Sequence, residues 1–578
     1  MHCDAALSAH QHLPRPAHAR HGNLGSKSME GNPVICSARL GVLLLAHINA
    51  PPFPPWPPTQ RRETLKRIAR ESAMATARSL RHLNAAATTV ALCAVVAVAL
   101  CAGVAVDAAA AGAARCRKHV AKITEYGAVG DGKTLNTAAF AKAVADLSGR
   151  AGSGGAALVV PRGRWLTGPF NLTSHFTLFL DEGAEILASQ LASFFEAVSV
   201  ACLYDRMKLK ASVRFKKLKA ADMKDWPLIE PLPSYGRGRD EPGPRYSNFI
   251  AGSNLTDVII TGKNGTINGQ GQVWWDKYHA KELKYTRGYL LELLYSDSII
   301  ISNVTFVDSP SWNLHPTYCT NVTISGVTIL APMDSPNTDG IDPDSSSHVK
   351  IEDCYIVSGD DCIAVKSGWD QYGIKFNMPS QHILIRRLTC VSPTSAMIAL
   401  GSEMSGGIRD VRAVDNTAVN TESAVRIKSG VGRGGFVKDV FVRGLSLHTM
   451  KWVFWMTGNY GQHPDNSSDP RALPEVTGIN YRDVFAENVT MAGRMEGIPN
   501  DPYTGICISN VTAKLSPAAQ ELQWNCTDVK GTASDVSPKP CAELSAPGKP
   551  CAFPEDELVI GPPELPKCNY DRSRKQIM

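Results

Sequence analysis

The sequence predicts an all-β fold, a single right-handed parallel β-helix with a short N-terminal capping helix. Three observations lead there: a β-rich phrase that recurs between about 254 and 491, spacing too tight for intervening full helices, and one helical pattern just ahead of the repeats. The phrases begin at Asn254, Ser298, Asn321, His348, His382 and Val437, and most starts lie 23 to 44 residues apart. Each alternates β-branched with polar residues, as in Ser298-Ile-Ile-Ile-Ser-Asn-Val-Thr-Phe, and closes on Asn, Asp or Gly. Such a unit cannot bury its own apolar face, so it suits one coil of a solenoid stacked on its neighbours. A propeller or sandwich would need Asn-Gly-type hairpins between paired strands, and these are scarce.

Ahead of the repeats, Tyr126-Gly-Ala-Val-Gly-Asp-Gly leads into a helical pattern over 138–147, placed to plug the open end of the first coil. The organisation read along the chain is 1–73 as a disordered extension or gene-model artefact, 74–114 as a targeting segment, 115–526 as the β-helix, and 527–578 as a Cys-rich tail. In the targeting segment Arg78, Arg81 and His82 precede an uncharged stretch over 83–106 and then small residues. That order is a secretory signal peptide if translation starts at Met74, and a signal anchor if the longer form is made. Nine Asn-x-Ser/Thr sequons, at Asn171, Asn254, Asn264, Asn303, Asn321, Asn466, Asn488, Asn510 and Asn525, agree with a secreted, cell-wall location and with glycosylation. Asn-Val-Thr is also ordinary strand-and-turn chemistry. Cys507, Cys526, Cys541, Cys551 and Cys568 crowd the tail as staples, and with eleven cysteines beyond Ala114 at least one is expected to be unpaired. A basic run over 198–224 reads either as a solvated loop or as an exon-boundary error.

Composition is that of an ordinary globular protein, with 578 residues, 44% hydrophobic and 20% charged. The formal charge of +6 is not gathered into long basic runs, which excludes a nucleic-acid signature but leaves room for a basic cleft.

Chemistry concentrates in two acidic clusters, Asn337-Thr-Asp-Gly-Ile-Asp-Pro-Asp and Gly359-Asp-Asp-Cys-Ile-Ala-Val-Lys, set 21 residues apart from Asp339 to Asp360. One coil is about that long, so the clusters should stack about 4.8 Å apart. Carboxylates that close cannot all ionise, which leaves a proton donor beside ionised partners, the pair that glycoside hydrolysis uses. The competing readings are a Ca²⁺ site drawing on Asp342 and Asp344, or plain Asp-rich turns. Farther on, Arg426-Ile-Lys428 places two cations on one face of a strand, as recognition of a carboxylated sugar would require.

Taken in order, Asn337-Thr-Asp339, Gly359-Asp-Asp361, Arg426-Ile-Lys428 and Tyr460 in Gly458-Asn-Tyr resemble the polygalacturonases and related enzymes of glycoside hydrolase family 28, over roughly 123–526. The resemblance implies a secreted, inverting hydrolase of pectic polysaccharide, acting in cell-wall carbohydrate metabolism without a metal or organic cofactor and as a monomer. It implies Asp360 as general acid, Asp339 and Asp361 as bases that activate water, and Arg426, Lys428, Tyr460 and Asn337 as substrate contacts.

The family's Gly-His-Gly is absent, and the matching stretch reads Ser392-Pro-Thr-Ser-Ala-Met-Ile-Ala-Leu-Gly-Ser. His315 is one candidate to supply its function, although a structural strand-end histidine is the plainer reading. Gly401-Ser-Glu-Met-Ser-Gly-Gly resembles the exo-acting and bacterial branch, and offers Glu403 either as a further acid near the cleft or as a turn residue. Arg237 and Arg239 are read as lying in a loop at the cleft rim. Two other functions remain open on the same scaffold: a calcium-dependent pectate lyase, and a catalytically silent wall-binding homologue.

Overall fold

The structure, a computed structural model, describes residues 116–190, 226–519, 521–544, 546–561, 568 and 570. The expectations for 1–73, for the targeting segment 74–114 and for the basic run 198–224 lie outside the described residues. No helix among the described residues is long and apolar enough to cross a membrane.

Parallel pairing builds the molecule. Thr256–Asn268 lies beside Asp297–Val307, and the ladder continues through Thr320–Ser325, Ser347–Glu352, Ser380–Arg386, Ile408–Lys428, Phe436–Thr457, Glu475–Glu496 and Tyr503–Leu515, one strand per coil. Among the described strands antiparallel pairing is confined to Leu228–Ile229 with Arg245–Tyr246. This is the right-handed parallel β-helix, without the antiparallel strand pairs that a propeller or sandwich requires.

The recurring phrase has a backbone cause. Asp257, Ser298, Asn321, His348, His382, Asp410 and Asp439 occupy aligned positions in successive coils, and every one has φ between 49° and 58°. Left-handed backbone is tolerated best by Gly and then by Asn, Asp and His, and all of these corners but Ser298 turn on Asn, Asp or His. A second corner uses Asn264, Asn303, Gly326, Asp353, Arg387, Asp415, Gly444, Asp483 and Asn510 in the same way. The sequon residues Asn254, Asn264, Asn303, Asn321, Asn488 and Asn510 all have this backbone and are all exposed, so turn chemistry accounts for their presence as fully as glycosylation does.

Inward positions form apolar rows along the axis. Ile341, Ile363, Ile398, Val425 and Phe454 are aligned coil on coil and almost wholly buried. Burying each such side chain contributes about 1.5–3 kcal/mol. Helix Thr137–Ala151 covers the first coil with Ala139, Phe140, Ala143, Leu147 and Ala151, somewhat longer than the expected 138–147. Its Phe140 ring meets Phe170 at 4.9 Å.

The expected domain boundary at 526 is too early. Strands Trp524–Thr527 and Val529–Ser537 still pair with Glu475–Glu496 and Tyr503–Leu515, so coils run on into the presumed tail. Val529–Ser537 is rich in Ser, Thr, Ala and Asp and carries little apolar alternation, which hid it from the sequence reading. Cys507–Cys551 and Cys526–Cys541 staple this region, and Cys362–Cys390 ties two central coils. Cys116–Cys568 joins the two ends of the described chain, while Cys319 and Cys354 are free and buried.

Candidate active site

Three turns and two strands carry the site. Ile341 and Ile363 are aligned in adjacent coils, with Gly340 N–H donating to the Asp361 carbonyl at 2.9 Å. Asp339 and Asp361, two residues earlier in each coil, are therefore stacked as the coil-length spacing predicts. One carboxylate oxygen from each of Asp339, Asp360 and Asp361 falls within 4.8 Å of the others. Asp339 and Asp361 are buried and Asp360 is half-buried.

Each carboxylate has its own surroundings. Asp361 accepts from Ser395 Oγ at 2.5 Å and from Ala396 N–H at 3.1 Å, and is ion-paired with Lys428 Nζ. Burial alone would raise its pKa, but Lys428 and Arg426 hold it below the ordinary carboxylate value. Asp339 sits 3.4 Å from Lys366 Nζ, and its Oδ1 has no hydrogen-bond partner among the described residues. Burial and the neighbouring Asp360 charge push it up to about 7, against the pull of Lys366. Asp339 and Asp361, expected as two equal bases, are thus different: one keeps a proton near neutrality and the other stays ionised. Asp360 Oδ2 accepts from Asn337 Nδ2 at 3.4 Å. Asn337 is oriented by Arg287, whose Nη2 donates to its Oδ1 at 2.8 Å while Asp240 grips the same guanidinium.

The cation side assembles as expected. Arg426 and Lys428 project from Ile408–Lys428 toward Tyr460, each about 5.9 Å from its ring centroid. Between acids and cations the outward positions are the buried alanines Ala364, Ala396 and Ala399, together with Gly401, so no bulky side chain fills the floor.

Two predicted site residues lie deeper than expected. His315 is fully buried, with Nδ1 2.9 Å from Glu292 Oε1 and Nε2 3.2 Å from Asp344 Oδ2, and Arg245 holds Glu292 through two contacts of 2.7 Å. The rings of Tyr289 and Trp312 pack on it. It belongs to a buried charge network beneath the site, and a direct substrate contact is not available to it. Glu403 is likewise buried, paired with Arg239 at 2.7 Å and with Lys366 at 3.5 Å. Although burial would raise it, those cations hold its pKa far below the ordinary value, so it serves as a permanent anion and not as a further acid.

Sequence reasoning missed Lys366, Ser395 and Arg287. Lys366 lies 3.4 to 3.5 Å from Asp339, Asp342 and Glu403 and 4.2 Å from the Trp312 ring centroid. Burial alone would lower its pKa, but the surrounding carboxylates raise it well above the ordinary lysine value. Strand alternation from Ala364 could have flagged it as outward-facing. Ser395 stands in the stretch without histidine. The rim is closed on one side where Arg239 Nη2 donates to Gln462 Oε1 at 2.6 Å and Arg237 Nη1 donates to the Pro464 carbonyl at 2.8 Å.

The donor set argues against a calcium centre. Ca²⁺ collects six to eight oxygens, whereas Asp339 and Asp361 already face ammonium groups and Asp344 accepts from Tyr235 OH at 2.6 Å. Three crowded carboxylates beside the Arg426–Lys428 cation pair match acid–base glycoside hydrolysis instead. Residues 207–537 match the model of glycosyl hydrolases family 28. The chain belongs to that family. One relative, a probable polygalacturonase of Vitis vinifera, is 58% identical over 459 residues, covering 79% of this chain and 87% of the relative. A solved exopolygalacturonase of Thermotoga maritima aligns with a TM-score of 0.56 at 25% identity, covering 73% of this chain and 92% of that one. A polygalacturonase of Erwinia carotovora, at TM-score 0.53 and 21% identity over 73% of this chain and 98% of its own, shares the fold.

Proposed function

We propose that this glycosidase hydrolyses galacturonic-acid-containing pectin, with inversion at the anomeric carbon. The observation that carries the reading is the asymmetric carboxylate cluster, one member kept ionised by Lys428 and another able to hold a proton near neutrality, beside Arg426 and Lys428. In this reading Arg426, Lys428 and Tyr460 hold a galacturonate on the far side of the scissile bond. Asp360, the most exposed of the three, gives its proton to the leaving oxygen. Asp361 takes a proton from the attacking water, while the proton that Asp339 can hold near neutrality is shared with Asp360 across the cluster, which supplies the acid and keeps the three from carrying full charges together. Seated in an extracellular wall, the enzyme would keep the four disulfides among its described residues in an oxidising compartment, and its exposed sequons would be open to glycosylation.

The carboxylates are closer together than the ~6.5–9.5 Å usual for an inverting pair. Product stereochemistry is therefore a sharp test. Protein expressed from Met74 and given a galacturonan oligomer should release saturated, water-added fragments whose first-formed anomer, followed by proton NMR, is inverted. Retained anomers would make Asp339 or Asp361 a nucleophile. Ultraviolet-absorbing unsaturated products would mean a lyase, and oligomers bound but left intact would mean a silent binding protein.

A further inference from the structure

Aligned outward positions run along the cleft face in the order Ala364, Ala399, Arg426, Trp455, Arg494 and Asn525, one per coil. The line from the acids to Arg426 therefore continues past the site along the helix axis. Trp455 lies between two guanidinium groups, with Arg426 3.5 Å and Arg494 5.8 Å from its ring centroid, and its ring meets Trp452 at 4.2 Å. Trp455 is half-buried on the outward side of the strand whose Phe454 faces the core. Both guanidinium groups lie over the Trp455 ring, and a guanidinium positioned by such a ring takes a carboxylate through paired N–H donors.

We propose that Trp455 and Arg494 form a second uronate subsite, two coils beyond Arg426, that takes the carboxylate of a sugar farther along the same chain. The proposal rests on the galacturonan reading above. Coils repeat every ~4.8 Å, so Arg494 lies roughly two sugar lengths from Arg426. Its side chain keeps 40% of its surface open, against 13% for Arg426, and in the free protein it rests on Glu496, Nε to Oε2 3.0 Å. Glu496 also accepts from Asn525 Nδ2 at 3.1 Å. The carboxylate of Glu496 thus occupies the place that a substrate carboxylate would take, and binding exchanges one for the other.

That exchange gives the test two opposite arms. In an Asp360→Asn background that binds without turnover, galacturonate oligomers from dimer to hexamer are titrated by calorimetry into the parent, Arg494→Gln and Glu496→Gln. Arg494→Gln should weaken hexamer binding about five- to tenfold, the worth of one partly exposed charged contact, and leave the dimer unchanged. Glu496→Gln, which still accepts from Asn525 but releases Arg494, should tighten the hexamer and not the dimer. Equal changes at every length, or none in either variant, would overturn the subsite while leaving the galacturonan reading intact. Failure of the parent to bind any oligomer would overturn both.

Discussion

In the proposed mechanism Asp360 and Asp339 divide the proton chemistry, and each can be tested alone. Asp360→Asn removes a transferable proton and almost no volume, so kcat should fall by roughly 10²–10⁴, the usual contribution of a general acid, while oligomer binding persists in calorimetry. Unchanged turnover would remove Asp360 from that role. Asp339 sets the alkaline side. Its folded-state value, about 7, lies above the ordinary carboxylate value of 3.8, so the folded protein holds this proton more tightly than the unfolded chain. Stability therefore falls as pH rises through that window. Relative to Asp339→Asn, the wild type should lose thermal stability between pH 4 and 7, and its kcat/KM should decline above about 7 as the cluster gains its last charge. The acid limb should lie below the ordinary carboxylate range, because Lys428 keeps Asp361 ionised. These carboxylates and the Arg426–Lys428 pair were legible in the sequence because few structural reasons place so many charges one coil apart. Ser395 was not, since a lone serine carries no pattern, and Lys366 was marked only by strand alternation from Ala364. Burial of His315 agrees with its plainer reading as a structural histidine, whereas Glu403, offered as a cleft acid or a turn residue, lies deeper than either because motif position gives no depth.

At the scale of the coil, what made the fold readable was its corners. Left-handed backbone at aligned positions favours Asn, Asp, Gly or His at intervals of one turn, and that preference survives where side chains on the strands vary. The rim was not readable: Arg237 and Arg239 meet Pro464 and Gln462 across more than two hundred residues of chain, through contacts to carbonyl and amide groups that leave no periodic trace. The inward row gives the element-level prediction. Phe454 is fully buried, its ring 4.5 Å from Tyr481 and 6.0 Å from Trp524, and it lies beside Val425 in the strand that presents Arg426. Phe454→Ala should cost about 3–5 kcal/mol in urea unfolding and should weaken substrate binding through the displaced Arg426. A loss below ~1 kcal/mol would mean that this row closes over the cavity and contributes little to rigidity.

The described residues form a solenoid whose first coil is covered and then tied to the C-terminal segment. Helix Thr137–Ala151 shields one end, and Cys116–Cys568 returns the C-terminal segment to the first coil, where Tyr570 packs on Ala157, Val159 and Phe179. Solenoids fray from their termini because an end coil has one neighbour. Cys568→Ser should therefore lower stability by roughly 2–4 kcal/mol, the typical value for a native disulfide, and hydrogen exchange should quicken first in 156–180. Uniform acceleration across all coils would place the effect in the unfolded chain instead. The same bond has a mechanical meaning. A pull applied to the polypeptide on either side of Cys116 and Cys568 is carried by one covalent link, in parallel with the stacked coils and far stiffer than they are. The coils between would stay slack under tension, so a cleft in a molecule stretched from its termini would keep its shape until sulfur chemistry, not unfolding, let go.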